Sequence, residues 1–235
     1  MNGPVPSAFK IASLALLALA AGCAGLPPLT TLSPLERTPR LEALCKRPFL
    51  NGEVRLIHAL TPVLAGHEES TAIAVLAADP ERKRFRSVLM TLEGLVLFDI
   101  ESAEGVQVHR AVPPFAGPAF AQGMAEDIAF AFFAPADEPS VLGEGEGGSL
   151  VCRYHRPQGE TVDVVIATDG AAEVRLYGAG QEPRKRVRIP RLDGPGLAGK
   201  LEIQGLGWPG YGLKLRLIEA EQNGAGQLGK DKIIH

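Results

Sequence analysis

The chain is poor in aromatic residues, in cysteine, in long apolar runs and in charge of one sign. Its 235 residues hold 9 Phe, 3 Tyr and 1 Trp, so aliphatic side chains must supply most of any buried surface. One apolar run stands out, Ile11 to Ala21, and it is too short for a bilayer core, which takes roughly 20 residues to cross. Lys+Arg 24 against Asp+Glu 27 leaves a net charge of -3. That balance removes the concentrated basic field that nucleic-acid binding requires, so no nucleic-acid partner is expected. Among the 5 His, namely His58, His67, His109, His155 and His235, no pair has metal-ligand spacing, and no His-Glu-x-x-His is present. A Gly-x-Ser-x-Gly elbow is missing as well. The glycines of Gly143-x-Gly145-x-x-Gly148 and Gly205-x-Gly207-x-x-Gly210 lead into strands. They do not open a helix N-terminus, the element that binds pyrophosphate, so both are turns. No metal, cofactor or enzymatic chemistry is expected from this inventory.

What is present begins with an export signal. One cation, Lys10, precedes the apolar run, which exits through small residues to Gly22-Cys23. Residues 1–22 therefore read as a cleaved signal peptide and 23–32 as an extended tether. The stretch Leu19-Ala20-Ala21-Gly22-Cys23 resembles the lipobox of bacterial lipoproteins, which implies acylation of Cys23. The alternative is an ordinary signal peptide that leaves an incidental Cys. Ala24, where enterobacterial lipoproteins retained in the inner membrane carry Asp, implies by the same resemblance an outer-membrane destination on the periplasmic side. Cys45 and Cys152 remain. In an oxidising compartment they pair as a disulfide or stay as two buried free thiols, and both readings are open here.

Ser33-Pro34-Leu35-Glu36 carries the marks of a helix start, with a short helix expected to end near Cys45. Apolar-rich runs then predict strands near Glu53–Ala59, Ser70–Ala78, Phe85–Leu92, Leu95–Ile100 and Val106–Val112, joined by turn residues. Between Pro118 and Phe133 the period changes. Phe120, Met124, Ile128 and Phe132 recur every four residues, while Gln122, Glu126 and Asp127 fall on the other side of a helix. Gly143 to Gly148 reads as a flexible loop or hairpin tip. The C-terminal half alternates with period two: Leu150, Cys152 and Tyr154, then Val162, Val164 and Ile166, and finally Leu213, Leu215 and Leu217. The domain thus spans 33–221, and 222–235 reads as a flexible tail.

About eleven strands side by side would form a flat sheet roughly 50 Å wide. A helix over Pro118 to Phe133 is only ~24 Å long and ~10 Å across, so it cannot hide the apolar face. The sheet must close, fold into a sandwich, or curl into a half-barrel. With few aromatics to fill it, the interior is expected to be a lipid-sized hollow, a tightly packed sandwich being the alternative. The expected fold is therefore mainly β with α: one curved antiparallel sheet, an incomplete barrel with one or two covering helices.

This order of lipobox, leading helix, strands, inserted helix and further strands resembles the LolA/LolB-like superfamily. Leu89-Met-Thr-Leu-Glu-Gly-Leu-Val-Leu-Phe-Asp99 and Gly210-Tyr-Gly-Leu213 are similar to an uncharacterised family of LolB-like lipoproteins. The resemblance implies binding of acyl chains under a helical lid, and transfer or insertion of lipoproteins or of a lipid-like product. It also implies a LolA-like periplasmic carrier as partner. In LolB a protruding apolar loop enters the membrane; no loop of this chain is singled out from sequence. The cavity expected on these grounds is lined by Val162, Val164, Ile166, Leu213, Leu215 and Leu217, with Phe120, Met124 and Ile128 as lid. The alternative function is a structural or assembly lipoprotein working through protein contacts, by strand addition at an open edge. Two basic runs, Arg82-Lys83-Arg84-Phe85-Arg86 and Arg184-Lys185-Arg186-Val187-Arg188, are either a solvated protective face or an attraction to anionic headgroups.

Overall fold

The computed structural model describes residues 25–33, 36–192 and 197–223. Cys23, the expected acylation point, the expected signal peptide and the residues from 224 onward lie outside the described residues.

A 14-stranded antiparallel sheet makes up most of the domain. Its strands are β1 (Thr30–Thr31), β2 (Glu53–Leu64), β3 (His67–Glu68), β4 (Ala72–Asp79), β5 (Arg84–Met90), β6 (Val96–Ser102), β7 (Val106–Ala111) and β8 (Val141–Glu144). Then come β9 (Leu150–His155), β10 (Thr161–Ile166), β11 (Ala172–Tyr177), β12 (Pro183–Ile189), β13 (Lys200–Gly205) and β14 (Tyr211–Asn223). The spatial order is β1-β8-β9-β10-β11-β12-β13-β14-β2-β4-β5-β6-β7, with β3 added to β2. Nearly every neighbour in space is a neighbour in sequence, so short turns suffice. Two junctions are long-range: β1 on β8, at Thr30↔Glu144, and β14 on β2, which joins the two halves through a register running from Tyr211↔Leu64 to Asn223↔Glu53.

The sheet is open, with β1 and β7 at its ends, and it curls. Phe85, Ser102 and Val106 of β5–β7 line the same cleft as Tyr154, His155 and Leu176 of β9–β11, although the strand order sets them far apart. Curvature gives the sheet an inner face, and that is where the core lies. Leu56 and Leu60, Leu76, Phe98, Val162 and Val164, Val187, Leu201 and Ile203, and Leu215 all belong to one buried cluster. The period-two phase read from the sequence is the phase of this face.

Helix α1 (Pro39–Lys46) and helix α2 (Pro118–Phe132) cover the inner face. α1 packs on β9 and β10, where Cys45 and Cys152 form a disulfide with Cα atoms 5.8 Å apart. α2 contacts β6 and β7. The segment between α1 and β2 is tied to the end of α2, where the Leu50 N–H donates to the Phe132 carbonyl at 2.9 Å.

Several expectations are corrected. α1 starts at Pro39, capped by the Thr38 hydroxyl accepting from the Leu41 N–H, and not at Ser33. The Ser33 N–H and hydroxyl do bond the Glu36 carboxylate at 2.7 Å, but this local turn precedes the helix; Pro39 begins α1 because a first-turn N–H needs no partner. Strands β1, β3 and β8 were not predicted because they are short; of the two readings of Gly143 to Gly148 the hairpin tip holds, since β8 pairs with β9 across it, with Gly143 inside β8. Gly143 is needed there: a Cβ would lie 2.4 Å from the Leu29 side chain. The tether is extended but docked, with the Leu32 N–H on the Leu142 carbonyl and the Pro27 carbonyl accepting from Arg153. β14 continues to Asn223, two residues past the expected end of the domain.

Candidate functional site

The expected hollow is occupied. Between α2 and the strands, a void of about 40 Å³ is lined by Leu60, Leu76, Leu89, Phe98, Met124, Ile128, Leu213 and Leu215. A second, of about 10 Å³, is lined by Phe132, Leu201 and Leu217. The larger exceeds a single water's share of liquid, roughly 30 Å³, by little, and falls far short of the roughly 300 Å³ of a small ligand pocket. A helix ~24 Å long cannot roof a flat sheet of this width. Instead the sheet curls tightly enough for this helix to fill it.

The nine expected cavity residues divide into groups. Met124, Ile128, Leu213 and Leu215 meet at the void, with Leu217 beside its neighbour. Phe120, at the start of α2, packs on Phe98 and Phe115 with ring centroids 5.2 Å apart in each case and remains 36% exposed. Val162, Val164 and Ile166 are buried on β10, the strand against which α1 packs, and line neither void.

Open space lies alongside α2. A cleft of about 710 Å³ runs between the two sides of the curled sheet, floored by Gln122, Ala125, Glu126, Ala129, Phe130 and Phe133 and bounded by Lys185. α2 itself is weakly terminated: its cap Gly117 supplies no side-chain hydrogen bond, its first turn has no acidic residue and its last turn no basic one. One strong polar tie holds it. Asp127, 5% exposed, accepts hydrogen bonds from the Tyr211 hydroxyl at 2.8 and 2.7 Å and ion-pairs with Lys185. Asp127 was expected on the solvent side with Gln122 and Glu126. Those two do bond each other in solvent, but Asp127 turns inward because Lys185 and Tyr211, distant in sequence, meet it there. Burial, and then the Asp127 carboxylate, push the Tyr211 phenol well above its usual range. His58 faces the same interior, its ring 5.9 Å from that of Phe132, and burial lowers its pKa to about 4.

Lys185, Gly205 and Tyr211 sit side by side on β12, β13 and β14. Gly205 is the reason the other two converge: the Tyr211 ring lies over it, and a Cβ there would come within 2.1 Å of that ring. A signal for this triplet existed in the sequence. Lys185 and Tyr211 occupy the apolar phase of their strands, in step with Val187 and Ile189 and with Leu213 and Leu215.

One end of the strands carries most of the exposed large hydrophobics. Leu206 and Trp208 in the β13–β14 turn, Leu64 at the end of β2, Leu92 and Leu95 in the β5–β6 turn, and Phe120 all lie there, with Trp208 99% exposed. The chain enters β1 from the opposite end, at Thr30↔Glu144, but the residues before it run back past Arg153, and the Leu26 N–H meets Gln181 in the β11–β12 turn at this same end. The basic runs are largely ion-paired. Arg82 and Arg84 bond Asp79, Arg86 bonds Asp99, Arg184 meets Glu160 and Glu182, and Arg186 meets Glu173. The first run begins in the β4–β5 turn, at the opposite end of the strands from Trp208, which favours the solvated-face reading.

Similar solved structures include a LolA superfamily protein from Nitrosomonas europaea, at 10% identity and TM-score 0.48, over 79% of this chain and 93% of that one. A candidate outer membrane lipoprotein-sorting protein domain from Vibrio parahaemolyticus matches at 12% and 0.39, over 80% and 93%. A DUF1329 family protein from Desulfovibrio piger matches at 11% and 0.37, over 78% and 91%. These likenesses concern architecture, at identities too low to carry any residue across. No family model and no curated protein matches the chain. No helix among the described residues is long and apolar enough to cross a membrane.

Proposed function

We propose that this protein is a non-enzymatic lipoprotein of the bacterial envelope, anchored in the outer membrane through acylated Cys23. It binds acyl chains in the curled sheet and passes a lipoprotein or lipid-like product onward, receiving it from a LolA-like carrier. The observation that carries this reading is α2. An almost wholly apolar helix with weak ends fills an apolar trough, beside an open cleft, and one polar cluster pins it. A chain entering from the cleft replaces helix side chains with methylenes, so the apolar surface stays covered while the helix swings out. The exposed rim around Trp208 would then face the bilayer, at the end of the domain that Leu26 reaches. Native mass spectrometry of the Cys23→Ser chain after gentle extraction tests the proposal. An acyl-bearing adduct is the expected result, and a bare polypeptide that also fails to take up added fatty acid overturns it.

The filled interior favours one other reading, an assembly lipoprotein that works by strand addition at β7. That edge strand is largely exposed, Val108 included, and has no neighbour on one side among the described residues. Crosslinking through β7 to one stable protein partner, with no lipid bound, would favour it.

A further inference from the structure

The Asp127 cluster poses a problem for any helix displacement. When α2 leaves the trough it withdraws its carboxylate, and Lys185 and Tyr211 stay behind on the sheet. With α2 seated the Lys185 side chain is 14% exposed, and a cation left beside the apolar inner face without its partner is unfavourable. An incoming ligand that is only hydrocarbon leaves that charge uncompensated. A ligand that ends in an anion restores it.

Resting on the acyl-binding reading above, we infer that Lys185 and Tyr211 form a receptor for the anionic headgroup of the bound amphiphile, and that Asp127 occupies this receptor as an internal stand-in. The site is built for the purpose. Gly205 between the two residues clears the space in which the Lys185 ammonium and the Tyr211 hydroxyl converge on one carboxylate. Lys185 borders the open cleft, so a headgroup reaches it without crossing the core. From there, Leu213 and Leu215 continue down β14 from Tyr211 in the same side-chain phase, toward the void at Met124 and Ile128. The ligand class is therefore a single-chain acidic amphiphile: headgroup at Lys185 and Tyr211, tail along the inner face.

The test compares a fluorescent long-chain fatty acid, its methyl ester and the matching alkyl phosphate on the Cys23→Ser chain. The acid should bind roughly ten-fold or more tightly than the ester, because a charge-assisted hydrogen bond is made in one complex only. The double variant Asp127→Asn with Lys185→Gln removes both charges together, so neither is left stranded in the fold. It should bind acid and ester alike, losing the preference for the acid. Asp127→Asn alone should tighten the acid, since the stand-in no longer competes. Phosphate bound as well as carboxylate supports an anion receptor of broad taste, and weaker phosphate supports a carboxylate site. Equal binding of acid and ester overturns this inference while leaving the acyl-binding reading intact. Binding of neither overturns both.

Discussion

Acid should loosen this protein through His58 before its carboxylates respond. His58 lies on β2, 2% exposed, against Phe132 of α2, in a space it shares with Ser87 and Asp127. Asp127 is already engaged by Lys185 and Tyr211, and burial is what lowers the His58 pKa from 6.5 to about 4. Above pH 6.5 neither the folded nor the unfolded chain protonates this ring, and stability does not depend on it. Between 6.5 and 4 only the unfolded chain takes up the proton, so stability falls with pH by up to ~1.4 kcal/mol per unit. The whole interval amounts to about 3 kcal/mol, and below pH 4 the dependence flattens. Carboxylates held low, such as Asp79 beside Arg82 and Asp99 beside Arg86, titrate below this window in the folded protein, and their loss of stabilisation begins only at its acid end, where the unfolded chain's carboxylates start to protonate. Urea unfolding measured from pH 7.5 to 4.5 on the parent and on His58→Leu separates the contributions. The parent should lose about 2–3 kcal/mol that the variant retains. Parallel curves for the two proteins would show that the ring protonates freely in the folded state and that the burial argument is wrong.

Other perturbations have equally definite outcomes. Replacing Cys45 and Cys152 together by Ser opens a closure of 107 residues, and denaturant unfolding should show a loss of about 4–5 kcal/mol in the chain-entropy account; a loss under ~1 would contradict it. Asp163→Ala strands Arg153, which the Asp163 carboxylate grips at 2.7 Å through both Nε and Nη2, and should cost about 3–5 kcal/mol. Because Arg153 also bonds the Pro27 carbonyl, faster amide exchange over residues 25–32 should accompany that loss. Trp208 is the only tryptophan, so its emission reports the rim alone. On anionic vesicles the emission should shift to the blue and Trp208→Ala should weaken association, whereas bound chain with unshifted emission would place the bilayer elsewhere.

Much of the architecture was legible from local pattern. The period-two phases of β9 to β14 assigned the inner face, because alternation in an antiparallel strand is a direct record of which side meets water. Four-residue spacing located α2 to within one residue of its end, since Pro118 and Ala134-Pro135 bound it. Where the reading failed, a partner remote in sequence decided the outcome. β1 and β8 are too short to show alternation and exist because they pair with each other and with β9. Asp127 looked solvent-facing because a helix wheel has no knowledge of Lys185 or Tyr211.

The sequence by itself determined the antiparallel class, the inner face and the inserted helix. Only the tertiary structure decided that α2 fills the trough instead of roofing a hollow. It also decided that Cys45 meets Cys152, that Lys185, Gly205 and Tyr211 stand abreast, and that six exposed apolar residues share one end of the strands. The physical reason is that side-chain phase is set by neighbours one or two residues away, whereas curvature and convergence are set by strands that meet only after the chain has folded back on itself.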